Sequence, residues 1–201
     1  MKRAKIGDVF AVKVPNGYKL YQWAYAIGRY GKYIRVFPGL YDEIPADIQR
    51  IVDAPHSYII RFHATRAYRV GLAQLVGSYE VPEKYPFPEY QIDFWMDTEI
   101  GCIDEIRVME SDIKSDPNRR RFYKRFSVSK MSELPEEFQN ITLLTAILSP
   151  DWVLYLFDSD FDLEHLERYY LYYSNIHIYS DMVEQALQKS NKTKTRDGSL
   201  S

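Results

Sequence analysis

From Gly7 to Val14 the side chains sort into two faces. Val9 and Ala11 share one with Lys13, while Phe10, Val12 and Val14 share the other, which is the period of a β-strand. Pro15-Asn16-Gly17 predicts a hairpin turn, because glycine tolerates positive φ and proline cannot continue the ladder. Tyr18 to Arg29, dense in aromatic and branched residues, predicts the return strand, with Gly28 and Gly31 as places to bend or bulge. Lys32 to Phe37 predicts a third strand closed by Pro38-Gly39, making a meander. The spacing then turns helical at Ile44, Ile48, Ile51 and Val52, with Pro45 at the start and Pro55 after the end.

Tyr58–His63 and Leu72–Tyr79 predict two further strands. Prolines 82, 86 and 88 exclude a central strand from Val81 to Tyr90 and suggest a soft boundary near residue 90. Beyond it, Gln91–Met96 and Cys102–Met109 read as strands. Glu136–Leu148 reads as a helix with Phe138, Ile141, Leu144, Thr145 and Leu148 on one side. Trp152–Phe157 fits either a buried strand or a helix, and Leu163–Tyr173 predicts a helix capped by Asp162. The expected class is α+β: a bent antiparallel sheet, a meander with barrel-like closure left open, with packed helices and a helical C-terminal part. Residues 1–90 form a β-rich domain, 91–189 an α+β part either separate or of the same globule, and 190–201 a polar, disordered tail.

Composition narrows the function classes. With 46% hydrophobic residues over 201 positions, the chain can bury a real core. A formal net charge of -2 gives no bulk attraction for nucleic acid or an anionic membrane. Cys102 is the only cysteine, so no internal disulfide or cysteine-based zinc site is expected, and a small buried residue is its favoured reading. Gly7 and Asp8 follow Met1-Lys2-Arg3 before any apolar run, and no apolar stretch approaches the ~20 residues of a membrane span. A cytoplasmic protein without a membrane partner is expected, its oligomeric state undetermined.

Three stretches offer chemistry. "DSDFDLEHLERY" from Asp158 begins like a calcium loop but places Leu163 where a glycine is needed and Tyr169 where a bidentate glutamate is needed. No metal or cofactor is therefore expected, and these acids are assigned to a helix N-terminus. "RRRFYKR", Arg119 to Arg125, interleaves five basic residues with Phe122 and Tyr123. That pairing suits phosphate contact and base stacking, but it also suits a solvated strand end or a grip on an acidic partner. His63 with Arg61 and Arg66 has the groups for acid–base cleavage of RNA, yet alternation makes Arg61 and His63 an ordinary solvent face equally well. No catalytic set is assigned.

The first half carries a likeness. Gly7-Asp8-Val9-Phe10-Ala11, then Tyr41-Asp42-Glu43, then Pro86-Phe87-Pro88, in that order, resemble the immunity protein 26 family of bacterial polymorphic toxin systems. The likeness covers roughly the first half of the chain. It implies an α+β protein, not an enzyme, that binds and neutralises a cognate toxin domain. The expected contact residues are Tyr41, Asp42 and Glu43, with Arg119, Arg120 and Arg121 as the other charged candidates. An alternative is a small β-barrel endoribonuclease of the mRNA interferase type, and a third is a general protein-interaction module.

Overall fold

β1 (Asp8–Val14) and β2 (Gly17–Ile27) make the expected hairpin, with Val14 opposite Gly17. The computed structural model describes residues 3–27, 31–97, 102–111, 120–128, 130–144, 150–161 and 172–197. β3 (Gly31–Val36) runs antiparallel to β2, and β4 (Tyr58–Arg61) antiparallel to β3. β5 (Gln74–Ser78) covers the other side of β1. The β2–β3 register shifts between Trp23 and Tyr25, and Gly28, a predicted place to bend, lies outside the described residues.

Beyond residue 90 come β6 (Tyr90–Asp97), β7 (Cys102–Ser111), β8 (Arg120–Phe126) and β9 (Leu143–Leu144). The strand order is β5-β1-β2-β3-β4-β9-β6-β7-β8. β9 pairs in parallel with both β4 and β6, so strands from both sides of the expected boundary join one mixed, open sheet. The fold is α+β, and the sheet does not close into a barrel.

Four α-helices accompany the sheet among the described residues. α1 (Ile48–Asp53) is shorter than its pattern suggested. Asp47 caps it by accepting from the Arg50 amide, so Pro45 lies outside. α2 (Ala64–Arg69), which the sequence reading did not anticipate, follows β4. α3 (Pro150–Asp158) decides the ambiguous Trp152–Phe157 run in favour of helix. α4 spans Tyr172–Asp197. Among the described residues no helix is long and apolar enough to cross a membrane.

Two expectations are corrected. Glu136–Leu148 is not a helix: Glu136–Phe138 is a single 3-10 turn, Leu143–Leu144 is β9, and residues 145–149 lie outside the described set. The apolar spacing suits both states. The strand wins because the inner edges of β4 and β6 need partners, and Ile59 N donates to Thr142 O at 2.7 Å. The tail from 190 is also not disordered as far as Asp197, because α4 continues through it. Once Tyr179 and Ala186 anchor the helix, each added residue gains a hydrogen bond without a new nucleus. Residues 162–171, including Asp162 and most of the predicted Leu163–Tyr173 helix, lie outside the described residues.

The sheet is covered on both faces, which explains why β1 is apolar almost throughout. Phe10, Val12, Val14 and Tyr21 join Val153 to Phe157 of α3 in the main core. Val9, Ala11, Leu20 and Phe37 meet Ile48 and Val52 of α1 on the opposite face. The Gly7-Asp8-Val9-Phe10 motif is architectural. Asp8, buried, accepts from Lys5 N and Ser78 Oγ, both at 2.8 Å, tying β1 to β5. Gly7 has φ +95°, and a Cβ there would lie 2.7 Å from Tyr79 O. Gly7→Ala is therefore expected to cost about 1–3 kcal/mol in denaturant unfolding; an unchanged midpoint would show that the backbone relaxes freely there.

Asp158 and Asp160 have partners other than the helix N-terminus expected for this acidic stretch, whose later acids lie outside the described residues. Asp158 is the last residue of α3, where the helix dipole disfavours a negative charge. Its buried carboxylate accepts instead from Asn16 N at 2.8 Å and from the Tyr179 hydroxyl at 2.9 Å. Burial, followed by that bond to Asp158, pushes the Tyr179 phenol up. Asp160 accepts from Gly39 N at 3.0 Å and pairs with the fully buried Lys19. The two carboxylates fasten α3 and α4 to the tips of the meander.

Candidate functional site

Tyr41 is held by two backbone bonds to Tyr18: Tyr18 N donates to Tyr41 O at 2.7 Å, and Tyr41 N donates to Tyr18 O at 3.0 Å. The next two residues leave the sheet at a fixed point. Asp42 and Glu43 are exposed and make no hydrogen bond or ion pair among the described residues. They do not serve α1, whose first turn holds no acid and whose cap is Asp47. The Tyr41 phenol is raised by partial burial and then by the charge of Asp160, which places a third carboxylate beside this ledge. A hollow of about 310 Å³ lies next to it, lined by Tyr41, Pro45, Arg50 and Ile51 among others. A half-buried tyrosine, two unpaired carboxylates and an adjoining hollow suit contact with a basic protein surface.

Arg120 and Arg121 lie on β8, at the far edge of the sheet, and Arg119 is outside the described residues. Six strand-to-strand steps separate β8 from β2, about 29 Å at the usual sheet spacing. The acidic and basic candidates therefore do not form one site. Lys124 and Arg125 are exposed on the same strand, and Arg125 lies 3.9 Å from Glu105. Basic residues on an edge strand also discourage edge-to-edge pairing.

The Pro86-Phe87-Pro88 element folds over the ends of β2 and β3. Phe87 meets Tyr25 and Tyr33 edge-on, with ring centroids 5.3 and 5.1 Å apart, and the Tyr25 hydroxyl donates to Tyr85 O at 2.6 Å. Beneath this loop lies a buried polar group that sequence reasoning missed. Arg35 is fully buried and donates to His56 Nδ1, Gln22 Oε1 and the carbonyls of Val52 and Ala54. Its guanidinium stacks on Tyr85 at 4.4 Å. The only sequence signal was alternation, which set Arg35 opposite Ile34 and Val36 but could not tell a covered face from a wet one.

His63, Arg61 and Arg66, singled out from the sequence, line a common cavity of about 390 Å³. Cys102 opens β7. Among the described residues no group of three or more histidines, cysteines or acids is placed to hold a metal ion. No family model, curated protein or solved structure matches this chain.

Proposed function

We propose that this protein is an immunity protein that binds a cognate toxin domain of a bacterial polymorphic toxin system in the cytoplasm and neutralises it as a stoichiometric complex. The carrying observation is the Tyr41-Asp42-Glu43 ledge: Tyr41 is pinned to Tyr18 by two backbone bonds, and Asp42 and Glu43 are exposed with no structural task for their carboxylates. Acidic groups on a firm edge complement the basic cleft of a nuclease, speeding encounter and adding contacts. The succession of N-terminal motifs supports the same reading. The RNA-cleaving alternative implies a small closed barrel, and the open nine-stranded sheet departs from that.

The test is charge reversal, Asp42→Lys with Glu43→Lys, assayed against the toxin domain encoded beside the gene. Association is expected to slow at least tenfold at low salt. The thermal midpoint should barely change, since neither residue caps α1. A folded double mutant with unchanged association kinetics would remove this ledge from the interface. The purified protein is expected to leave single-stranded RNA intact; cleavage lost in His63→Ala would replace this reading with the endoribonuclease one.

A further inference from the structure

The cavity between α2 and α4 has a lining that is part cationic and part apolar. Arg61 at the end of β4, His63 and Arg66 form the polar part. None of the three makes a side-chain hydrogen bond or ion pair among the described residues, and no acidic residue there lines the cavity. Lys32 adds positive charge nearby, its ammonium bonded to Thr65 Oγ1 at 3.1 Å and lying over the Trp23 ring. The rest of the lining is apolar and includes Leu72 and, from α4, Val183 and Leu187. Val183 and Leu187 stand four residues apart, on one helix face. A plain solvent face would account for the arginines, but not for their sharing a partly open hollow with aliphatic residues.

We propose that this cavity binds a small amphipathic anion, with a carboxylate or phosphate head held by Arg61 and Arg66 and an aliphatic body lying against Leu72, Val183 and Leu187. Guanidinium groups meet both head groups in paired hydrogen bonds, and such pairs gain strength where apolar walls exclude water. The volume of about 390 Å³ lies within the range of small-molecule sites. A bound ligand spans α2 and α4, so it also fastens the C-terminal helix to the sheet. The site is separate from the Tyr41-Asp42-Glu43 ledge, and the proposal stands whether or not a toxin is bound there.

Calorimetric titration of the full chain with octanoate, octyl phosphate, 1-octanol and acetate tests it. Octanoate or octyl phosphate should bind one-to-one, and whichever binds tighter identifies the preferred head group. Octanol and acetate should bind at least tenfold more weakly, the first for want of charge and the second for want of a body. Arg61→Gln with Arg66→Gln should weaken binding of the charged ligands at least tenfold while leaving octanol unchanged. Leu187→Asp should abolish binding, and ligand should raise the thermal midpoint of the native protein only. Octanol matching octanoate, no saturable binding of either anion, or full affinity in the folded double-glutamine variant would overturn the proposal.

Discussion

Arg35→Ala is expected to remove about 2–4 kcal/mol of stability through the buried acceptors it leaves unmet. The reason is the number of partners left behind. Nη1 donates to Gln22 Oε1 at 3.0 Å, Nε to His56 Nδ1 at 3.3 Å, and Nη2 to the carbonyls of Val52 and Ala54, both at 3.3 Å. Gln22 in turn donates to the carbonyls of Gly7 and Tyr79, so the network reaches the β1–β5 edge. No carboxylate lies within ion-pair distance of Arg35 among the described residues. Burial lowers its pKa, opposed in turn by Tyr25, Tyr85 and Asp53. An unmet buried acceptor costs about 1–3 kcal/mol, and the four losses overlap instead of summing. Arg35→Lys should recover only part, because one ammonium cannot reach acceptors spread around a fork. Urea unfolding measures this. A loss under about 1 kcal/mol for the alanine variant would mean that water replaces the guanidinium without strain.

The second large effect is acid sensitivity through His56. Its Nδ1 accepts from Arg35, so Nε2 carries the proton and faces Thr142 Oγ1 at 3.4 Å. Burial first, and the Arg35 charge second, lower its pKa to about 4 from 6.5. The folded state therefore binds fewer protons than the unfolded chain between these values. Stability is fully present above pH 6.5, falls as pH drops through the window, and levels off below about 4. The contribution is about 3 kcal/mol at most. His56→Gln should flatten the stability profile between pH 6.5 and 4 relative to the native protein. Parallel profiles would show that the imidazole titrates normally.

Where local pattern and tertiary demand agreed, the sequence reading reached the structure. β1 to β5 and the Pro15-Asn16-Gly17 hairpin were legible, because alternation and turn chemistry point the same way. The described part of the Glu136–Leu148 stretch, up to Leu144, was not. Phe138, Ile141 and Leu144 carry helical spacing, but the segment's state is decided by strands distant in the chain. α2 was hidden because it has no side-chain cap and buries only Ala64 and Ala67. In the candidate site, the exposure of Asp42 and Glu43 followed from the Pro-Gly turn before them, whereas the third acid at Asp160 came from residues more than a hundred positions away. The burial of Arg35 depends on Tyr85 and α1 covering it, which strand alternation does not encode.

The position of β9 has a consequence for the order in which the protein is made. The two residues that bridge β4 to β6 leave the ribosome long after β4 itself. At ~5–20 residues per second, the inner edge of β4 stays bare for roughly 4–16 s of synthesis. During that interval the nascent meander exposes the apolar Tyr58-Ile59-Ile60 backbone to any passing strand. A chain halted between residues 90 and 140 should therefore aggregate or recruit a chaperone, where the full-length chain folds. The central seam is the last part of the sheet to close, so the final third of the chain controls the solubility of the first.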